Sequence, residues 1–441
     1  MSTPVIAIFD IGKTNKKVFL VNEDYQICFE KSVQLPEITD EDGFPCEDVQ
    51  ALTEWVKESF QELLLWQEFD IQALNISAHG ASFVHVDAAG NPVAPLYNYL
   101  KTYPENLKNL FYKTYGGETQ FARITASPVL GNLNSGMQLY WLKHHRPEAF
   151  SKIKYSLHLP EYISYLFTHI PVSGITSIGC HTNLWNFTTN QYHDWVAKEG
   201  ILAKLAPLHS SSETTRIDIH EHSMNVGIGL HDSSAALIPY LACFHNPFIL
   251  LSTGTWCIAL HPFNHSILTE EELKQDCLCY LTYEGKAVKA SRLFAGYKHE
   301  QETKRIAEHF HVSDDFYKHI RYQPDLVNTL SPTSFQSDSI STYQSVDEAY
   351  THLMMQLVKQ QETSLHLILK NCVASRIFVD GGFSQNELFM KLLANALPNL
   401  KIFAASVAQA TAMGAAMAIH KQWNRKPINP NLIQQINYSE Q

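Results

Sequence analysis

Two stretches of this chain, roughly 240 residues apart, follow one grammar. "IFDIGKTNKKVFLV" (Ile8–Val21) and "NPFILLSTGTWCIALHP" (Asn246–Pro262) each read as a strand, a short turn of small and glycine residues, and a second strand. A hairpin recurring once per half asks for two related domains facing one cleft, each offering backbone N–H groups to a phosphate chain. On spacing alone, two unrelated hairpins in one large α/β protein are equally admissible. The tripeptide Gly12-Lys13-Thr14 invites a third reading, the P-loop, and fails it. A P-loop needs a glycine where Ala7 stands, and a helix where Val18–Val21 reads as a strand.

Around the hairpins, strand and helix patterns alternate. Glu47–Phe69 places Val49, Leu52, Val56, Phe60 and Leu63 on one helical face. Ala73–Ser77 is a strand leading to His79-Gly80, and "FVHVDAAGNPVAPL" reads as a hairpin turning on residues 88–91. Helical periodicity returns at Met137–His145, Glu161–Phe167 and Asp347–Asn371. "SRIFVDGGFSQNELFMKLLANALP" reads as strand, Gly-Gly turn and helix. "SVAQATAMGAAMAIHKQW" reads as a helix crowded with alanine and glycine, which suggests close approach of another backbone. No linker-like stretch intervenes, so the domains are expected to be tightly joined.

A chain of 441 residues is expected to hold two or three domains, since single cores stop growing near ~250 residues. The formal charge of −11, with no basic stripe, argues against a nucleic-acid partner. No apolar run of about 18 residues is present, so no membrane span is expected. The N-terminus enters a strand pattern directly, which makes the cytoplasm the expected location. The eight cysteines lack C-x-x-C spacing. Cys277 and Cys279 would share one face of a strand, half a metal site at most, so packed free thiols are expected.

Six segments then appear in order: Asp10–Thr14, "ISAHGASFVHVDAAGNPVAP", "GIGLHDSSAALIPY", "LLSTGTW", "IFVDGGFSQNELFMKLLANAL" and "MGAAMAI". With this series, from about Ile6 to Ile419, the chain resembles the FGGY carbohydrate kinases of the actin/hexokinase-like ATPase superfamily. The spacing of "ISAHGASFVHVD" is most similar to the rhamnulokinase and fuculokinase members. The resemblance implies an α/β fold of two ribonuclease-H-like (actin-like) domains, residues 1–237 and 238–441, with a central cleft. It implies ATP and Mg²⁺ as cofactors and a small sugar as partner; a homodimer is one admissible assembly.

Phosphoryl transfer needs a metal to neutralise the phosphates, donors to cradle them, and a base aligned with the acceptor hydroxyl. By resemblance Asp10, at a strand end, would hold Mg²⁺ or its waters. Gly12 and Thr14 would meet the phosphates, and Lys17 would hold the transferring phosphoryl group. Lys13 and Lys16 are expected to be solvated. Asp232 matches the family's catalytic aspartate, a base for the sugar hydroxyl, while capping of a helix Ser233–Tyr240 would suit the same residue. His231 would line its pocket. Thr253, Gly254 and Thr255 match the second phosphate loop. Gly381, Gly382 and Asn386, on a helix from Gln385, match the adenosine turn. Gly414 matches the small-residue helix beside it, with Gln409 where many relatives carry glutamate.

The sugar segment would be His79, Gly80 and Ser82. An acid that many relatives carry further on is missing, since Leu100 stands about there, flanked by the candidate replacements Asn98, Tyr99 and Lys101. Such a loss leaves sugar hydroxyls unpaired unless another group takes over. An altered preference is therefore expected, for a 6-deoxyketohexose or a pentulose. The rival reading is a non-catalytic sugar- or nucleotide-binding sensor of the same fold, which has no need of both Asp10 and Asp232. An actin- or chaperone-type ATPase would not need Asp232.

Overall fold

The computed structural model describes residues 2–219, 222–330, 335 and 337–439. The opening hairpin forms as its pattern asks: β1 (Thr3–Ile11) and β2 (Lys16–Asn22) pair antiparallel, with Asp10 opposite Lys17 and Ile11 opposite Lys16. Beyond β2 lies β3 (Ile27–Val33). Helix α1 (Val49–Leu64) starts where the Asp48 side chain accepts from the N–H groups of Gln50 and Ala51. It is shorter at both ends than the periodicity of Glu47–Phe69 suggests, because Asp48 caps it and Phe69 already belongs to β4 (Phe69–Ala78). β4 lies parallel to β1.

The hairpin expected over "FVHVDAAGNPVAPL" keeps its turn, where the Asp87 carboxylate accepts from the N–H groups of Ala89 and Asn91. It loses its second strand. Phe83–Val86 pairs instead with Tyr155–His158, leaving one bridge between Val86 and Pro92. Pro92 and Pro95 have no N–H to donate to a ladder. Helices α2 (Ser135–His145) and α3 (Leu159–Thr168) follow the expected periodicity. Then come β5 (Thr214–Ile219), β6 (His222–Gly227), β7 (Leu230–His231) and α4 (Asp232–Cys243). The first sheet runs β5–β6–β4–β1–β2–β3, with β7 beside the end of β4.

The second half holds β8 (Phe248–Thr253), β9 (Cys257–His261), β10 (Cys277–Leu281) and β11 (Ala287–Leu293), then α5 (Ala295–Phe310) and α6 (Val346–Leu369). It closes with β12 (Arg376–Gly381), α7 (Glu387–Ala396), β13 (Lys401–Ser406), α8 (Ala410–Ala418) and β14 (Gln434–Asn437). Its sheet runs β10–β11–β9–β8–β12–β13–β14. Both sheets repeat one plan. Three antiparallel strands (β3–β2–β1, and β11–β9–β8) continue into two parallel ones (β4–β6, and β12–β13). Cys277 and Cys279 face the core of the second half as free thiols. No helix among the described residues is long and apolar enough to cross a membrane.

Strand alternation decides what each face of the first sheet meets. Val5, Ala7, Phe9 and Ile11 pack against α1, while Ile6, Ile8, Phe19 and Val21 pack against α4 and α8. The opposite side of α4, with Leu237 and Tyr240, packs on Phe248, Leu250 and Phe378 of the second sheet. A helix buried on both sides is apolar all round, as α4 is. Residue 237, where the sequence reading divides the chain, lies inside this shared helix.

The two inner helices cross at one tight point. A Cβ at Gly414 would lie 1.8 Å from the Ala235 carbonyl oxygen. That oxygen would normally accept from residue 239, which is proline and has no N–H, so the gap in α4 receives the α8 backbone. Gly414→Ala should therefore cost about 2–3 kcal/mol of stability, read as a lower urea midpoint with unchanged slope. A midpoint equal to wild type would mean that the crossing relaxes freely.

Candidate active site

Strand register assembles the acidic centre. Asp10 lies opposite Ser77 on β4, Ser77 lies opposite Leu230 on β7, and Asp232 follows β7 directly. Thr411, on α8, donates its hydroxyl to Asp10 Oδ2 at 2.8 Å. Burial pushes the Asp10 carboxyl up to about 6; the Thr411 bond opposes this and the nearby charge of Asp232 adds to it. Ser77 and the charge of Lys17 pull it partly back. The Lys17 ammonium itself is paired with Glu30 at 2.9 Å. Two carboxylates facing a common space, one of them short of positive charge, suit a hard cation that takes oxygen ligands, so Mg²⁺ fits Asp10.

Asp232 is the first residue of α4, and His231 occupies the N-cap. The carboxylate accepts from the Ser233 N–H at 2.5 Å, and the imidazole Nε2 of His231 lies 3.1 Å away. Its side chain is 35% exposed, which leaves it reachable from the cleft. Burial keeps His231 below the usual imidazole range despite the Asp232 charge.

Lys13 and Lys16, expected in solvent, are not there. Strand alternation turns Lys16 to the face opposite Asp10 and Lys17, where it is buried and meets Glu47 at 2.8 Å. Its ammonium also donates to the carbonyls of Gly12 and Lys13. Lys13 pairs with Glu37 at 2.9 Å and Glu47 at 3.3 Å. Glu47 in turn meets His79 Nε2 at 2.9 Å, so one carboxylate fastens the first turn to the sugar segment. The Gly12 N–H is spent within the turn on the Asn15 carbonyl, and Thr14 is exposed at its tip.

Burial pushes the Glu47 carboxyl up, but the His79 bond and the charges of His79 and Lys16 outweigh it and hold it at about 2. A depressed carboxyl stabilises the fold above its ordinary value of 4.5 and loses that contribution as pH falls toward 2. Glu47→Gln should cost on the order of 3 kcal/mol at pH 7, because it strands buried Lys16. The deficit relative to wild type should shrink between about pH 4.5 and pH 2. Denaturation at several pH values checks this, and a deficit constant across that window would refute the assignment.

Next to Asp232, a Cβ at Gly80 would lie 2.9 Å from the His231 ring, so glycine lets the two segments close. Ser82 is buried in the scaffold, its carbonyl accepting from the Leu159 N–H. Among the candidates for the missing acid, Leu100 is 69% exposed. Asn98 caps the local turn through the Leu100 N–H, and Lys101 is held by Asp40 and Asp42. Tyr99 remains, its ring 6.0 Å from that of His79. Burial raises its phenol, Lys13 opposes, and Glu47 and Asp232 add to the rise, which places the hydroxyl within reach of their fields.

A cavity of about 590 Å³ opens at the ends of β8 and β12, lined by Thr253, Gly254, Thr255, Gly382 and Asn386. That volume suits a nucleotide. Gly381 has φ +89° and would place a Cβ 2.1 Å from the Thr253 carbonyl, so it serves the strand-end contact while Gly382 lines the cavity. The helix expected from Gln385 begins at Glu387, because Asn386 caps it through the Phe389 N–H and donates to the Tyr350 hydroxyl. Gly414 does not line this cavity; its neighbour is Ala235.

The sequence reading missed Thr411, Ser77, Glu47, and the cavity residues His299, Lys318 and Arg321. A lone hydroxyl in the Ala/Gly-rich α8 was a usable signal for Thr411. Ser77 lies within the segment that opens at Ile76 but carries no pattern of its own, and the rest sit in segments with no motif.

Two repeated sheets and two inner helices, with coupled acids at the strand ends of one sheet and a nucleotide-sized cavity at those of the other, define the actin-like fold. Residues 5–238 match the N-terminal domain of the FGGY family of carbohydrate kinases, and residues 245–427 match the carbohydrate kinase FGGY C-terminal domain. The chain belongs to the FGGY family of carbohydrate kinases. A xylulose kinase of Bacillus subtilis (strain 168) is 25% identical over 204 residues, which is 45% of this chain and 40% of that relative. The crystal structure of a carbohydrate kinase from Novosphingobium aromaticivorans superposes with a TM-score of 0.81 at 22% identity, over 99% of this chain and 94% of the other. Plasmodium falciparum glycerol kinase with ADP gives a TM-score of 0.75 at 15% identity, over 96% and 90% of the two chains.

Proposed function

We propose that this chain is an ATP-dependent kinase that transfers the γ-phosphoryl group to a terminal hydroxyl of a small ketose. The observation that carries the reading is the approach of Asp10 and Asp232 from the two strands that flank the end of β4, with a half-buried, reachable carboxylate at 232. In this reading Asp232 accepts the proton of the sugar hydroxyl as its oxygen attacks phosphorus. Thr253, Gly254 and Thr255 border the phosphate chain and Lys17 stands by the transferred group. When bound at Asp10, Mg²⁺ neutralises phosphate charge. Tyr99, set beside His79, takes over a hydroxyl that an acid near position 100 would otherwise bind.

Two substrate classes stand, each with one support. The B. subtilis relative bears the name xylulose kinase, which favours a pentulose. The spacing of residues 76–87 favours a 6-deoxyketohexose. The site of action proposed is the cytoplasm, where ATP is at hand.

ADP release across a panel of ketoses, aldoses and polyols tests the reading. One ketose should stimulate release, and Asp232→Asn should lower kcat by 10²–10⁴-fold. No sugar raising ADP above the Asp232→Asn background would refute the kinase and favour the sensor. Tyr99→Phe should raise KM for the preferred sugar roughly tenfold, with kcat little changed. An unchanged KM would remove Tyr99 from the sugar site.

A further inference from the structure

Beside Asp232 three side chains converge to which phosphoryl transfer assigns no step: Cys180, His181 and His231. One ligand atom from each lies within 4.8 Å of the others, and theirs is the one such histidine, cysteine or acidic group among the described residues. Cys180 Sγ lies 3.1 Å from His231 Nε2, and Asp232 Oδ1 lies 3.1 Å from the same nitrogen. An imidazole nitrogen serves one of these partners at a time: protonated it donates to the carboxylate, bare it accepts from the thiol. A cation bound among them serves all three.

The second histidine is set up for the same purpose. His181 Nδ1 meets the Leu133 carbonyl at 3.1 Å, the outer contact that fixes a ligating imidazole and leaves Nε2 its lone pair. Its backbone is left-handed at φ +37°, a conformation non-glycine residues keep where the surroundings over-determine it. The two imidazoles stand edge to face at 6.3 Å, and Tyr280 stacks on His231 at 5.8 Å. Tetrahedral zinc, with Zn–S of about 2.3 Å and Zn–N of about 2.0–2.1 Å, spaces its ligands roughly 3.4–3.6 Å apart. The ligand atoms here lie within 4.8 Å of one another, wider than that spacing by roughly an ångström.

We propose that Cys180, His181 and His231 bind a thiophilic transition ion of the Zn²⁺ type, with the fourth position left to solvent. As the sulfur–metal bond forms, the Cys180 thiol gives its proton to solvent. The blocking consequence rests on Asp232 being the base: a cation held by His231, whose Nε2 lies 3.1 Å from that carboxylate, lowers its capacity to accept the substrate's proton. Mg²⁺, which takes oxygen ligands, does not compete for this site.

The metal-free full chain titrated with Co²⁺ should develop a thiolate-to-cobalt charge-transfer band at one ion per chain, which Zn²⁺ then abolishes. Cys180→Ser should lack the band. His181→Asn, a partly exposed position that spares the core, should weaken cobalt affinity at least tenfold. No band in wild type, a band that survives Cys180→Ser, or unchanged affinity in His181→Asn would each overturn the site. One equivalent of Zn²⁺ should lower sugar-dependent ADP release at least tenfold in wild type and far less in His181→Asn; equal inhibition of both would overturn the blocking role. A cobalt band with no sugar-dependent ADP release would leave the metal site standing and remove the kinase reading.

Discussion

Two carboxylates are brought toward each other by backbone pairing that is indifferent to their charge. Parallel registration of β1 on β4, and of β4 on the short β7, sets Asp10 and the residue after His231 on either side of the end of β4. The buried acid responds by holding its proton more tightly, with its carboxyl at about 6. Everything else at the site answers that tension: the Thr411 hydroxyl, the Lys17 charge, and the capacity for a hard cation. A site built this way keeps its acids in place whether or not a ligand is there to reward them.

The second organising feature is that the two halves share their helices. α4 starts at Asp232, and its Tyr240 hydroxyl donates to Asp380 at 3.1 Å on the nucleotide side. α8 carries Thr411 to Asp10, and its Ala415 carbonyl accepts from Asn75 on β4. Strand ends of both sheets are thus tied to helices that the two halves share.

Much of this was legible from residues alone. Strand alternation and glycine turns fixed both hairpins, and the order of six segments pointed to the family and to Asp10 and Asp232. Long-range polar contacts were not legible. Glu47 sits in an undistinguished stretch, and nothing local says that it will fasten Lys16 and His79. Its existence reverses the expectation for the lysines, since alternation separates Lys16 from Lys17 but does not say which face holds a counter-charge. At position 100 the sequence could name candidates; only burial and partners separated Tyr99 from Asn98, Leu100 and Lys101. Gly414 carried a motif match but proved to belong to a helix crossing.

That crossing ties together positions far apart in the chain. A side chain at 414 would meet the Ala235 carbonyl oxygen at 1.8 Å, and that oxygen lacks its usual helical donor because position 239 is proline. The two positions, 175 residues apart from the difference 414 − 239, therefore act on one oxygen atom. Changes at the two do not add as changes at independent sites would, because each alters the surroundings the other meets.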